Sequence, residues 1–418
     1  MRPRSSIIPR RLVGRPPAAA AAPSFICSAC RFAAAATVAG PRRGQHFSST
    51  PNARSSLPPS PPPSGLVSLS SRRLISVSGP DSPKFLQGVI TQNIISPTSI
   101  SNGSYAAFLN ATGRVLHDVF VYPDSRGGSP GESFLIEVDA AEAPRLERHI
   151  KRYKLRAQFS VRLLDPGELT VWHGWDDSNG GGTALGAAAP PEDPHRLVHM
   201  QDPRAPGLGY RMVTEGGREP QVGLERAADE DIYRVRRYLM GVPEGQAELI
   251  RESALPLEGN LDAMGGIDFR KGCYVGQELT IRTKHRGVVR KRVLPVMIYD
   301  ADGAEQPQQL RYLPGDSGAA QLAGSVPTDT SIGRLGKRGR SAGKWLRGVG
   351  NVGLALCRLE IMTDVVLPGE TAASSYTSAD EFVMERQAGE DGVDPFKVKI
   401  KAFIPEWLRQ GLDQQQKH

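Results

Sequence analysis

Acidic residues are missing from the start of this chain. No Asp or Glu precedes Asp81, while eleven Arg and no Lys do. The formal net charge of +8 therefore belongs to the N-terminus, and from Asp81 onward the balance is 8 − 11 = −3. A nucleic-acid-binding body would carry its basic residues clustered on the folded domain, so no nucleic acid is expected as a partner. Long apolar runs are also missing. None approaches the roughly 18 residues that cross a bilayer, and no membrane partner is expected. Cysteine is scarce, with four in 418 residues. Cys27 and Cys30 form a C-x-x-C with no second pair to complete a zinc site. Cys273 and Cys357 are too few for a disulfide framework, which fits a reducing compartment.

What the N-terminus does contain is Arg, Ala, Ser and Pro. Residues 1–47 read as a mitochondrial transit peptide directed to the matrix, with a cut in "RRGQHFSST" between Phe47 and Ser48. Cleavage would remove Cys27 and Cys30. Residues 48–65, with "SSLPPSPPPSG", read as a stiff Pro-rich linker.

From Leu66 the pattern becomes globular. "RLISVSG" alternates as a strand, and "DSPKFLQGVI" follows as a helix with an acid and a Pro at its start. "SYAAFLNATGRVLHDVFVYP" reads as a hairpin turning at residues 110–113. A strand, a charged helix ("AAEAPRLERHIKRYKL") and another strand complete an α+β unit with an antiparallel sheet. "EDIYRVRRYLMG" is an amphipathic helix with Ile232, Val235 and Leu239 on one face, closed by Gly241. Residues 66–285 are assigned to this domain, with a Gly/Ala/Pro-rich surface insertion at about 176–194. Residues 286–418 form a β-rich C-terminal domain. Within it, residues 306–347 read as a solvated loop whose Arg334, Lys337, Arg338, Arg340, Lys344 and Arg347 face water.

Several tempting motifs lack their context. "GVGNVG" at 348–353 matches G-x-G-x-x-G but follows a basic loop instead of a buried strand. His195 and His199 in "HRLVH" sit beside a Pro-rich loop, and no Glu follows His195. "DFRKGCYVGQE" at 268–278 is different. It sets one thiol between two glycines, with Lys271 two residues before it and a helix start after it. Lys271 and the helix N-terminus would both favour thiolate, the form that binds metal or attacks electrophiles. Cys273 is therefore expected to be more exposed and more acidic than a core thiol.

"RYLMGVPEG", "LPLEGNLDAMGGIDFRKGCYVGQELTIRTKHRGVVRKR" and "ATGRVLHDVFVYP" together resemble the YgfZ/GcvT-like folate-binding family, in its mitochondrial iron–sulfur cluster assembly branch. The signature K-G-C-Y-x-G-Q-E is reproduced at 271–278 without a mismatch, and residues 237–292 carry the specific part of the likeness. The resemblance implies a fold like the glycine-cleavage aminomethyltransferase: α+β folate-binding modules around a central cavity, plus a C-terminal β-barrel. It implies tetrahydrofolate as the historical ligand, in a cavity offered by Arg114, Asp118, Lys271, Tyr274 and Gln277. Asp118 aligns with the catalytic carboxylate of the family's G-G-x-x-D-D hairpin, but it is the one acid of that pair present. "PGLGYRMV" at 206–213 lacks the Glu that holds the pterin. Folate binding is therefore expected to be weak.

The role implied is maturation of [4Fe-4S] proteins such as aconitase and lipoate synthase, together with A-type carrier proteins. Cys273 would be a transient thiolate ligand to a cluster shared with the partner, or a thiol protecting the partner's cluster, since one Cys cannot supply the four or so ligands a cluster needs. The alternative is a tetrahydrofolate-dependent one-carbon transferase, with Asp118 as general base and Cys273 structural. A third reading is a scaffold that only binds a partner.

Overall fold

The computed structural model describes residues 57–126, 131–178, 193–227, 229–300, 305–315, 318–336, 339–367, 376–386 and 395–416. The expected transit peptide, with Cys27 and Cys30, lies outside these residues, as does most of the 176–194 insertion.

The chain opens with strands β1 (Ser64–Ser68) and β2 (Arg72–Ser78), then helices α1 (Ser82–Val89) and α2 (Pro97–Asn102). The hairpin β3 (Ser104–Leu109) and β4 (Val115–Pro123) precedes β5 (Ser133–Asp139), α3 (Ala143–Tyr153) and β6 (Ser160–Leu163). Strands β7 (Leu169–Asp176), β8 (Arg196–Gln201) and β9 (Tyr210–Glu215) lead to helices α4 (Glu230–Met240) and α5 (Gln277–Arg286). The last part holds β10 (Lys291–Tyr299), β11 (Ser331–Arg334), β12 (Gly343–Val349), β13 (Val352–Arg358), the short α6 (Leu359–Met362), β14 (Phe382–Arg386), β15 (Phe396–Ala402) and α7 (Glu406–Gln416).

These strands make three sheets. One is five-stranded in the order β3-β4-β5-β2-β6, and one is four-stranded in the order β1-β7-β9-β8. The third is a closed barrel, β10-β13-β12-β11-β14-β15. The α+β class and the C-terminal barrel expected from the sequence are both present.

The alternation in β4 sets up the centre of the molecule. Successive side chains of a strand point to opposite faces. Val119 and Val121 pack with Leu86 of α1 and Leu146 of α3, while Phe120 and Tyr122 join the core shared with the second sheet. Asp118 shares the face of Phe120 and Tyr122, so a carboxylate is carried into an apolar layer. Helix α4 bounds the same layer. Asp229 caps it by accepting from Asp231 N, and Gly241 ends it at φ 72°, as its sequence predicts.

Two expectations need correction. Residues 306–347 are not a solvated loop, because they supply β11 and β12 of the barrel. Lys344 and Arg347 face water while Trp345 between them is fully buried, so the charges mark one side of a strand. The glycines of "GVGNVG" flank that indole: a Cβ on Gly348 would lie 2.6 Å from the Trp345 ring, and one on Gly353 would overlap it. They make room for a ring and turn the β12–β13 hairpin, with Gly350 at φ 61°. The end of the expected linker is also docked. β1 starts at Ser64, Tyr312 Oη donates to the Pro58 carbonyl at 2.7 Å, and Trp175 Nε1 donates to the Pro62 carbonyl at 2.9 Å.

Candidate functional site

The sequence points to one site holding Arg114, Asp118, Lys271, Tyr274 and Gln277. The structure divides them between a buried charge network and a surface loop.

The network surrounds Asp118, which is fully buried. Its Oδ1 accepts from Gly245 N at 3.1 Å, and its Oδ2 lies 3.6 Å from Arg72 Nη1. Arg72 Nε donates to Glu137 at 2.8 Å, and Tyr122 Oη donates to the same carboxylate at 2.6 Å. Arg204 donates to Asp202 at 2.7 Å and to Glu244 at 2.8 Å. Glu244 also accepts from Arg211 and, at 2.8 Å, from Tyr233 Oη. Arg237 closes the series on Glu248 at 2.7 Å. The guanidinium carbons of Arg204 and Arg211 stand 4.9 Å and 4.8 Å from the Phe120 ring centroid, where ring and cation attract.

Electrostatics divides the acids. Burial pushes Asp118 above the ordinary carboxylate range, and Arg72 only partly opposes this. Burial acts the same way on Glu244, but Arg211, Arg204 and Arg237 together outweigh it and hold that carboxyl well below its usual value. Glu244 is thus the anionic hub, whereas burial pushes Asp118 toward its protonated form.

This arrangement tests whether the residues fit tetrahydrofolate. Asp118 Oδ2 has no hydrogen bond within the protein, so polar capacity remains. Space does not: Asp118, Arg72, Tyr105, Arg204 and Arg211 leave no more than 5% of their surface exposed. A pterin reaching Asp118 would have to displace the Arg72 Nη1 atom 3.6 Å from its Oδ2, and Arg72 is itself held in place by Glu137 at 2.8 Å. Lys271, Gln277 and Arg114 are also engaged elsewhere, as described next. The residues present do not fit the group at Asp118.

The surface loop is the Cys273 segment between Gly266 and α5. Thr91 O accepts from Asp268 N at 3.0 Å, and Gly88 O accepts from Val275 N at 3.1 Å. Lys271 Nζ donates to the carbonyls of Ile90 and Gln92, both at 2.8 Å. Burial pulls its ammonium down to about 8. From the sequence this cation is expected beside the thiol, as a thiolate partner. Its described hydrogen bonds go instead to the end of α1, and it acts as a tether. Tyr274 is buried against the main core, and Gln277 Oε1 accepts from Tyr274 N at 3.2 Å.

Between the Lys271 tether and the Tyr274 anchor, Cys273 is exposed. The other described thiol, Cys357, is buried in the barrel core, where burial pushes its pKa up.

The loop requires glycine at its second glycine position and not at its first. Gly276 has φ 81°, and a Cβ there would lie 2.9 Å from Leu109 Cβ and overlap the Asn110 carbonyl. Reciprocally, Gly113 has φ 80°, and its Cβ would lie 2.8 Å from Leu279 Cβ. The β3–β4 turn and the Cys273 turn therefore pack glycine against glycine. A Cβ on Gly272 would meet nothing within 4 Å. Arg114, on the same hairpin as Gly113, donates to the Ser253 carbonyl at 2.6 Å.

Two clefts flank the loop. One of about 550 Å³ is lined by Gln92, Ser104, Tyr105, His199, Tyr210 and Asp268. The other, about 540 Å³, runs along α5 past Gln277, Glu278, Ile281, Arg282 and His285. His199 stacks on Tyr210 with ring centroids 5.0 Å apart, and among the described residues no group of three or more His, Cys, Asp or Glu could hold a metal. Sequence reasoning missed Arg204, Arg211, Tyr233, Arg237, Glu244 and Glu248. One signal was available: in α4, Tyr233 and Arg237 stand four apart beside the apolar face, a spacing that puts them on one side of the helix.

Comparison with known proteins gives the family and the fold. Residues 290–410 match the family described as CAF17, C-terminal beta-barrel domain. The chain is 58% identical over 352 residues to the iron-sulfur cluster assembly factor IBA57 homolog, mitochondrial, of Pyricularia oryzae, covering 83% of this chain and 86% of that protein. It is 51% identical over 419 residues to the protein of the same name from Chaetomium globosum, covering 94% and 95%. Among solved structures it is similar to glycine cleavage system aminomethyltransferase T from Bartonella henselae, with a TM-score of 0.53 over 83% of this chain and 87% of that one. At 13% identity that likeness shows the fold alone. On the strength of the two fungal relatives, the chain belongs to the IBA57 family of mitochondrial iron–sulfur cluster assembly factors.

Proposed function

We propose that the protein works in the mitochondrial matrix with an A-type iron–sulfur carrier, maturing [4Fe-4S] targets such as aconitase and lipoate synthase. In this reading Cys273 lends one thiolate to a cluster held between the two proteins. The observation that carries it is the presentation of Cys273: an exposed thiol fixed by a lysine tether on one side and a buried tyrosine on the other. A held thiol loses less freedom on binding than a mobile one. The cluster is cargo, and the missing ligands come from the partner, because a cluster takes about four. The neighbouring α5 groove offers Glu278, Arg282 and His285 as polar contacts for that partner.

A tetrahydrofolate-dependent transfer is the competing reading of the same fold. The burial of Asp118 and its ion pair with Arg72 speak against it. One experiment separates the readings. The chain is purified anaerobically with an A-type carrier, and iron, sulfide and folate are assayed in the same sample. Iron and sulfide that depend on Cys273 support the assembly reading. Stoichiometric folate with turnover, insensitive to Cys273→Ser, would replace it with the transferase. A stable complex with neither would leave a scaffold.

A further inference from the structure

Helix α3 buries Ala143, Leu146 and Ile150 against the first sheet. The outer side of the helix and the turn after it carry Arg145, Arg148, Lys151, Arg152, Lys154 and Arg156. Two of these cations are answered, Arg145 by Glu142 at 3.0 Å and Lys151 by Glu147 at 2.7 Å. Among the described contacts, Arg148, Arg152, Lys154 and Arg156 form no ion pair. Two large apolar side chains stand out among them. Tyr153 is 53% exposed and Leu155 is 86% exposed, the most exposed large hydrophobic residue among those described. Leu155 also has φ 51°, a left-handed conformation that disfavours any side chain beyond glycine. The turn thus holds a leucine outward in a strained conformation, with cations at 152, 154 and 156 on either side of it and of Tyr153.

We infer that this face docks on an anionic phospholipid surface. Unpaired Lys and Arg are attracted to headgroup phosphates. Aromatic and aliphatic side chains among them enter the boundary between headgroup and acyl chain, where Tyr is favoured. Tyr153 packs its ring on His149, with centroids 4.7 Å apart, and still keeps half its surface exposed; an acidic protein would satisfy the cations but give no reason for Leu155 to be held outward in a strained conformation. The expectation of no membrane partner, drawn from the sequence, rests on the lack of a spanning segment. Among the described residues no helix is long and apolar enough to cross a membrane, but a surface contact needs none. The contact would place the assembly factor at a mitochondrial membrane.

The test uses the full chain, so that its Arg-rich leader contributes equally to every sample. Wild type, Leu155→Ser, and the double variant Arg148→Gln/Arg156→Gln are sedimented with phosphatidylcholine vesicles, with or without cardiolipin. Neither cation of the double variant makes a described ion pair, so melting temperatures should match wild type. At roughly fivefold in partitioning per cation near an anionic surface, the double variant should bind cardiolipin vesicles about 25-fold less well. Leu155→Ser should lose severalfold. Hydrogen exchange over residues 151–159 should slow on cardiolipin vesicles in the wild type only. Equal partitioning of wild type and variants, equal binding to neutral vesicles, or no protection over 151–159 would each overturn the inference. So would variants that lose a soluble acidic partner but keep wild-type vesicle binding.

Discussion

Glu244→Gln should be strongly destabilising and should leave Cys273 chemistry untouched in the folded fraction. The native carboxylate answers Arg204 and Tyr233 at 2.8 Å each, Arg211 by a closer contact, and Arg237 at 3.7 Å. Gln keeps the volume and one acceptor oxygen. It removes the charge, and it turns an NH₂ donor toward guanidinium groups that are themselves donors. Each charge-assisted bond contributes about 1.5–3 kcal/mol, not additively. Removing one partner of a buried ion pair costs about 3–5 kcal/mol, because the remaining charge is left uncompensated. We expect a loss in that range, read as a shift in denaturant midpoint at unchanged slope. In melting temperature this is about 3–7 °C for a chain of this size. The double variant Glu244→Gln/Arg211→Gln should cost about 1–3 kcal/mol less than the sum of its singles, since it removes the cation whose nearest carboxylate is the one lost. A single-variant loss below about 1 kcal/mol, or a double variant as unstable as the sum of its singles, would refute the network account.

Other outcomes follow from single observations. Gly348→Ala should cost about 1–3 kcal/mol by forcing a methyl into the Trp345 ring, measurable by chemical denaturation; an unchanged midpoint would contradict it. Cys357→Ser should lose about 1–3 kcal/mol by burying a hydroxyl in the barrel core, whereas Cys273→Ser should stay within about 0.5 kcal/mol. Equal losses would mean that the two thiols are not distinguished as described. His173 and His117 are both held neutral down to about 3, chiefly by burial, with Arg211 and Arg251 respectively adding to it. An unfolded His takes up a proton near 6.5, so the folded state binds fewer protons below that pH, and stability falls as pH falls. At pH 5.5 each His should cost about 1.4 kcal/mol relative to pH 7.5, and a flat midpoint between those two pH values would sink the assignment.

The elements that sequence reveals are those whose cause is local. The α4 helix ends where Gly241 supplies a left-handed residue, and the β3–β4 hairpin turns at residues named from the sequence alone. The barrel strand β12 escapes a sequence reading because its outward Lys344 and Arg347 dominate the composition, while one inward Trp345 does the packing.

The site divides along the same line. Cys273, its exposure and its glycine turn are legible, since they sit together in eleven residues. The destination of Asp118 is not, because its partners come from far along the chain: Gly245 is 127 residues away. Buried arginines such as Arg204 and Arg211 read as solvated charge until the acids that face them are known. Lys271 misleads for the opposite reason. It is close to the thiol in sequence, yet it reaches carbonyls 179 and 181 residues back.

The central claim is that Cys273 supplies one ligand to a cluster shared with a carrier. The direct measurement is anaerobic reconstitution of the full chain with an A-type carrier, followed by absorption and circular dichroism spectroscopy and iron and sulfide analysis of the isolated complex. The account predicts a cluster-bearing complex with wild type. With Cys273→Ser, which should keep its fold and melting temperature, the complex should lose the cluster signal, since Ser is a poor ligand for soft metal sites. A Cys273→Ser complex with wild-type iron, sulfide and spectrum would contradict the account and return the role of the loop to its shape.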